Sequence, residues 1–447
     1  MRLSALAAAL GLAACASKPA PDKLAIVIVL DASAAPYFSV YGDPNDTSPR
    51  LAALAADGVV FDHASSASAT TGPSTGAMLT SMPVAAFLQR NDPNLPAHAT
   101  TIGEALLAHG VATWAALANP NAGGASRGYE RGYQTVERAY RGKAFDDAEG
   151  LAFPTPDDVL KPTIARIDAD GPGPTFLYAH FLQPHSPYSA PAELIRRFGA
   201  DPARPWPELV TAFTAANRSG VADPALVTEL EARYRANIVW IDHAVGELID
   251  HLKQKGLYDE ALLIVTSDHG EAFFKHKKFG HTTTMYEDMT HIPLIIKPPR
   301  SMGVRPAHEP TPVGTIDVPA TVVSWFGAPI PATFQGDDLL PLIRGEISAL
   351  PHPEVTSSTG NLALHSLRLG DHKLLVRGGY SELYNLAADP HEQQNLARTS
   401  PEKVAEMRTI LESMVDLRKR TGTNPEQGHV EDEAEKKMLQ TLGYVAE

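Results

Sequence analysis

The chain has 447 residues, 44% of them hydrophobic, with 38 Lys and Arg against 52 Asp and Glu and a formal net charge of -14. That much apolar content builds a large core, expected as one big domain with a smaller companion. The acidic balance excludes the basic footprint of a nucleic-acid binder, and 37 prolines and 33 glycines within an apolar-rich chain indicate ordered loops rather than disorder.

In chain order, the first segment is MRLSALAAALGLAACASKPA. Arg2 precedes an apolar run too short to span a bilayer comfortably, the pattern of a secretory signal over residues 1–14. Leu12 to Cys15, LAAC, resembles a bacterial lipobox, in which the cysteine is lipidated after cleavage; a plain signal peptide with an incidental cysteine is the alternative. Cys15 is the only cysteine, so structural disulfides are excluded. Residues 15–22 are then expected to tether a soluble domain to a membrane through acyl chains, on the periplasmic side or at the surface of a bacterial cell envelope.

Leu24 to Leu30, LAIVIVL, is a continuous aliphatic run suited to a strand buried on both faces, and it stops at Asp31. Similar runs at Val111 to Leu117, Thr175 to Ala179 and Leu262 to Thr266 end at ANPN, HFLQPH and SDHGE. Helical patterns lie between them. Ser48-Pro49 opens one that ends near Gly58, with a cap and then a first-turn proline. Thr101 to His109 is a second, stopped by Gly110, and Leu226 to Lys253 repeats apolar residues at helical spacing. The alternation predicts an α/β sheet covered by helices on both sides, over residues 23–345. From Leu362, then in HKLLVRGG and SELYNL, short strand patterns predict a small antiparallel sheet, and Ser400-Pro401 starts an amphipathic helix to about Arg418. Residues 346–420 therefore form a C-terminal subdomain, and residues 421–447 read as a polar linker with a short terminal helix.

Ligands of such folds sit beyond the carboxyl ends of the strands. Asp31, Asn119, His180, His185, Asp268 and His269 all follow strand ends, so one crevice could collect them. Asp31 with Asp268 and His269 offers two carboxylates and an imidazole to a divalent cation, although Asp-His-Gly alone also occurs in turns. SATTGPSTGAMLTS, from Ser68 to Ser81, is a hydroxyl-rich loop running into a helix of small residues. Its Thr71 precedes Gly72-Pro73, where exposed backbone N–H groups favour anions. A threonine hydroxyl is a poor nucleophile at neutral pH unless a metal lowers its pKa; otherwise Thr71 caps the helix, and the two roles are compatible. HFLQPHSPY supplies His180 and His185, and KHKKFGHTTTMYEDMTHIPLII supplies His276 and His281. Imidazoles near a metal and an anion can donate to developing negative charge or protonate a leaving oxygen. His185, beside a proline, and His281, beside a glycine, are preferred; a hydrogen-bonded loop residue is the alternative for either. Lys278, with Lys275 and Lys277, attracts an anionic substrate or forms a solvated patch.

Nine segments, in order from residue 24 to 398, resemble the sulfatase family of the alkaline-phosphatase superfamily: IVIVLDA, YGDPNDTSPRLAALAADGVVFDHA, TTGPSTGAMLTS, TIGEALLAHGVATWAALANP, HFLQPHSPY, VWIDHAVGELIDHLK, IVTSDHGEAF, GHTTTMYEDMTHIPLII and HKLLVRGGYSELYNLAADPHEQQNLA. The resemblance implies a large mixed, mostly parallel sheet sandwiched by helices, with a small C-terminal subdomain of antiparallel sheet plus helix. It implies that Asp31, Asp268 and His269 hold a divalent metal ion (zinc ahead of manganese, calcium or magnesium), with the nucleophile Thr71 as a further ligand. It places His185 and His281 in the ester-binding pocket and Asn119 near it; His180, His276 and Lys278 are outer candidates. Asp242 matches a helix aspartate with a structural role.

The departures lie at the nucleophile. Sulfatases make a formylglycine from Cys or Ser in Cys/Ser-X-Pro-Ser-Arg, and the equivalent run here is Thr71-Gly72-Pro73-Ser74-Thr75. Threonine is not expected to mature that way, Thr75 replaces the arginine, and ASAAP after Asp31 lacks the usual acidic and arginine residues. Related phosphodiesterases and phosphoethanolamine transferases do use threonine, attacking phosphorus through a covalent phosphothreonine. The expectation is a metal-dependent hydrolase of anionic phosphate, phosphonate or sulfate esters, with the phosphoester favoured. The alternatives are a phosphoryl transferase acting on envelope sugars or lipids, and a catalytically inactive binding lipoprotein on the same fold. No sequence pattern specifies an oligomeric state.

Overall fold

The run LAIVIVL forms the strand Leu24–Leu30, buried at every residue. The computed structural model describes residues 23–421, apart from 89–93, 141–152, 170, 172, 283, 353–354 and 359–363. Cys15, the signal and tether segments and the expected C-terminal linker from 422 onward lie outside the described residues.

Leu24–Leu30 pairs in parallel with Thr175–Phe181 on one side and Leu262–Thr266 on the other. The sheet has eight strands in the order Ala307–Glu309, Val59–Phe61, Leu294–Lys297, Leu262–Thr266, Leu24–Leu30, Thr175–Phe181, Ala112–Leu117 and Thr135–Arg138. Leu294–Lys297 is antiparallel to both neighbours, and the remaining pairings are parallel. This is the mixed, mostly parallel sheet. Its central strands Leu24–Leu30, Thr175–Phe181 and Leu262–Thr266 are buried at every residue, as strands covered on both faces are.

The 31-residue helix Pro224–Gln254 lines one face with Leu230, Tyr234, Ile238, Ile241, Val245, Leu248 and Leu252, all buried. It also caps another helix. Ser48, the expected cap of Pro49–Ala55, makes no side-chain cap bond; its hydroxyl accepts from Ser39 N at 2.8 Å instead. Asp242 takes over from the long helix, accepting from the N–H groups of Arg50 at 3.0 Å and Leu51 at 2.8 Å. A carboxylate at a helix N-terminus satisfies orphan donors just as a local cap does. Thr101 caps Ile102–Ala108 locally, in a reciprocal box with Glu104.

A separate four-stranded antiparallel sheet, Val355–Ser358, His365–Leu369, His372–Arg377 and Tyr380–Asn385, forms the C-terminal unit. Helix Pro401–Thr421 packs Met407 and Leu411 against its Leu367, Leu374 and Leu383. Buried ion pairs join this unit to the main body: Lys373 Nζ lies 2.7 Å from Glu287 Oε1, and Arg368 Nη1 lies 3.4 Å from Glu287 Oε2. Among the described residues, no helix is long and apolar enough to cross a membrane.

Candidate active site

Strand register builds the site. Val29 lies level with both His180 and Thr266, and Leu117 is also level with His180. The residues just past these positions therefore emerge together at the carboxyl edge. Asp31 ends the first strand, Asp268 and His269 follow Thr266, and Asn119 follows Leu117. At Ala32 the chain turns through a left-handed backbone, φ 59°, a conformation that costs a residue with a β-carbon roughly 1 kcal/mol. Tyr234 holds the turn: its hydroxyl donates to Ala32 O at 2.6 Å and accepts from Ala34 N at 2.9 Å.

Asp31, His180 and Asp268 are fully buried, and one ligand atom from each lies within 4.8 Å of the others. Asn119 Nδ2 donates to Asp31 Oδ2 at 2.7 Å. Asp268 Oδ1 accepts from Ala32 N at 3.1 Å and His269 N at 2.9 Å. These bonds fix one oxygen of each carboxylate. The other oxygens, Asp31 Oδ1 and Asp268 Oδ2, and both ring nitrogens of His180 are buried with no hydrogen-bond partner. Burial, then the Asp268 charge, pushes the Asp31 carboxyl well above its ordinary range, against the hydrogen bond from Asn119. Burial would also raise Asp268, but His269 and His180 hold it below its ordinary value. Two buried carboxylates with orphaned oxygens, and the His180 imidazole 3.7 Å from Asp268 Oδ2, form this corner. Their O/N donor set fits a divalent cation such as zinc or manganese. His180, an outer candidate in the sequence, stands in this corner.

Thr71 is the first residue of the helix Thr71–Thr80 and is fully buried. Its Oγ1 lies 3.1 Å from His269 Nε2. That nitrogen is 3.6 Å from Asp31 Oδ1 and 3.6 Å from Asp268 Oδ2, so Thr71 and His269 stand at the same corner. His269 Nδ1 bonds to Gly270 O at 2.9 Å, which leaves Nε2 facing the carboxylates. Ser74, one turn along, donates to Asp268 O at 2.5 Å and locks the helix to the strand end. The glycine of Asp-His-Gly has a steric reason: a β-carbon at Gly270 would collide with the carbonyl oxygen of Asp288.

His185 and His281 line the outer side. Their ring centres are 4.9 Å apart, and the His281 ring is 4.4 Å from that of His269. Burial pushes both imidazoles down, His185 to about 3 with His281 adding to the effect, and His281 to about 4. Both are neutral at neutral pH. Two other expected residues lie elsewhere. His276 stacks on Tyr286 at 3.6 Å between ring centres and bonds His391 O at 3.1 Å. Lys278 Nζ donates to Asn217 O at 2.8 Å and pins a helix end.

Glu271 and Asn121 complete the site and were missed in the sequence. Glu271 Oε1 lies 3.0 Å from His281 Nδ1, and Oε2 accepts from Tyr188 at 3.2 Å. Burial pushes its carboxyl up to about 7. Asn121, buried beside Asn119, keeps Nδ2 without a partner. Glu271 stands two residues past His269, and Asn121 lies in the short 3-10 turn Pro120–Ala122 that Asn119 caps.

The sheet, the strand-end carboxylates and the hydroxyl beside them define an α/β protein with a buried cation corner at a helix start. Residues 23–328 match the sulfatase family, and the chain belongs to it. Arylsulfatase K of Danio rerio is 31% identical over 212 residues, which are 45% of this chain and 40% of that protein. The match thus spans about two fifths of that relative's length. Among solved structures, the phosphonate monoester hydrolase of Agrobacterium radiobacter superposes with a TM-score of 0.71 at 19% identity, covering 89% of this chain and 96% of that one. BT4656, in complex with its substrate D-glucosamine-2-N,6-O-disulfate, superposes with a TM-score of 0.70 at 18% identity, covering 90% and 99%. These likenesses establish the shared fold.

Proposed function

We propose that the protein is a metal-dependent ester hydrolase in which Thr71 is the nucleophile, acting on phosphate or phosphonate esters in preference to sulfate esters. The observation that carries this reading is the 3.1 Å contact of Thr71 Oγ1 with His269 Nε2 at the corner of orphaned carboxylate oxygens. Asp31, Asp268, His180 and His269 would hold the cation. When bound, it supplies positive charge that acidifies the threonine hydroxyl and offsets the charge of an anionic ester.

The chain's own residues do the rest. The start of helix Thr71–Thr80 aims Thr71 Oγ1 at the phosphorus, and buried walls limit water around it. A P–Oγ1 bond forms as the bond to the departing alcohol breaks. His185 and His281 face that alcohol. The proton that Thr71 Oγ1 gives up passes to one of these neutral imidazoles, which delivers it to the departing oxygen. Water then cleaves the phosphothreonine. Phosphorus is favoured because Thr71 offers an ordinary alcohol, with no aldehyde hydrate through which sulfate could be eliminated.

The test is a panel of aryl phosphodiesters, phosphomonoesters, phosphonates and sulfates, assayed with the metal-loaded protein and with Thr71→Ala. Turnover of phosphorus esters that Thr71→Ala abolishes supports the reading. Sulfate turnover alone, or a fully active Thr71→Ala, contradicts it. We further infer from LAAC at Leu12 to Cys15 that the domain is tethered to an envelope membrane through a lipidated Cys15.

A further inference from the structure

Beyond His281, away from the cation corner, lies a pocket of about 130 Å³. Tyr188, Trp206, Phe213, Phe273 and Phe279 are among its walls. Trp206 and Phe213 come from the helix Trp206–Ser219, seven positions apart and so on one face of it. Their ring centres are 6.1 Å apart; Phe213 is 6.4 Å from Phe279, and Trp206 is 5.2 Å from Tyr188. Both helix aromatics are only half-buried, so they keep apolar surface open to a ligand.

The pocket is built rather than incidental. Asn217, at the end of the same helix, accepts from Phe279 N at 2.7 Å and donates to Phe279 O at 3.1 Å. Lys278 adds its bond to Asn217 O. These bonds fix Phe213 against Phe279 and set the width of the opening.

The polar groups decide what can occupy it. Among the described residues, no lysine or arginine lines the pocket. Its one acid, Glu271, already bonds His281 and Tyr188. An anionic sugar would find no cation among these lining residues, and for a neutral sugar Tyr188, Glu271 and His281 are already bonded to one another, leaving Ser186 and Thr282 as the further side-chain hydroxyls to pair with its own. A flat apolar ring loses nothing of that kind and gains stacking against Trp206 and Phe213. His281 belongs both to the pocket and to the histidine cluster, so a group seated here has its oxygen beside the imidazole that faces the departing alcohol.

We propose that this pocket is the leaving-group subsite and that it selects esters of neutral aromatic alcohols, with Trp206 and Phe213 as the specificity-determining residues. The proposal rests on the ester-hydrolase reading above, but its test needs no turnover. The full chain is titrated with 4-methylphenol and with methyl glucoside and methyl glucuronide, followed by ligand-observed NMR. The phenol is expected to bind, and the two sugars not to. Trp206→Ala and Phe213→Ala should each weaken phenol binding about tenfold, with unchanged far-UV circular dichroism. If Trp206→Ala misfolds, Phe213→Ala alone decides the matter. Sugar binding tighter than phenol, or phenol binding unchanged in a folded variant, overturns the subsite. Phenol binding by a protein that cleaves no ester would count against the hydrolase and leave the subsite standing.

Discussion

In the proposed reaction Thr71 is the nucleophile, and it stands at the first helical position rather than at the cap. The cap position belongs to Thr70, which makes no side-chain cap bond. Thr71→Ala should stay folded while lowering turnover by about 10³-fold or more. Thr71→Ser, which keeps an alcohol, should retain part of the rate; steady-state kinetics beside a thermal melt checks both. Asp31 makes the converse case. Its carboxyl is buried against Asp268 and pushed well above its ordinary range, so without a cation a neutral amide in its place costs little. Metal-free Asp31→Asn should melt no lower than metal-free wild type. Added divalent cation should raise the wild-type midpoint and not the variant's; a variant that still gains stability from the cation would contradict the assignment of Asp31. At this scale, Asp31, Asp268 and His269 were legible because each interrupts a long buried run with a polar group. His180 was harder to place. It lies inside its strand rather than after it, and only the register against Val29 and Leu117 carries it into the corner.

At the scale of elements, the joint between the main body and the C-terminal sheet is ionic and buried. Glu287 faces Lys373 and Arg368, with His291, His63, Asp288 and Glu392 around it. Burial alone would raise the Glu287 carboxyl, but Lys373, with His291 and Arg368, brings it down from 4.5 to about 2. The folded value lies below the unfolded one. Its stabilisation is therefore complete above about pH 4.5 and is lost as pH falls toward 2. Denaturant midpoints of wild type and Glu287→Gln should differ most near neutrality and converge on acidification. A gap that widens toward acid would contradict the pairing. Lys373→Ala removes the closer of the two cations from Glu287 and leaves Arg368 at 3.4 Å; it should cost roughly 3 kcal/mol at neutral pH. The long elements were readable from pattern alone: the Leu24–Leu30 strand and the Pro224–Gln254 helix carry enough residues to declare a period. Three-residue strands such as Val59–Phe61 and Ala307–Glu309 do not. The cap on Pro49–Ala55 was unreadable for another reason, since Asp242 supplies it from 192 residues away.

At the scale of the whole molecule, the fold acts as a frame that fixes one edge. Central strands buried at every residue present that edge, and the acidic corner and the aromatic pocket meet across the histidines. The sequence disclosed this architecture because buried strands and strand-end polar residues alternate along the chain. The pocket stayed hidden because Trp206, Phe213 and Phe279 become neighbours only once the helix is clamped to its strand by Asn217. The proposed tether is also a property of the whole chain. Expressed at full length in a bacterium, the protein should partition with membranes into detergent, and Cys15→Ser should release it to the aqueous fraction; an unchanged distribution would remove the lipid anchor. The most direct test of the central claim is to mix the metal-loaded protein with an aryl phosphonate ester, quench within one turnover and map the peptides by high-resolution mass spectrometry. The account predicts a phosphonyl adduct on Thr71 that disappears as the phosphonate is released. An adduct on another residue, or turnover with no adduct at all in a protein whose Thr71→Ala variant is equally active, would contradict it.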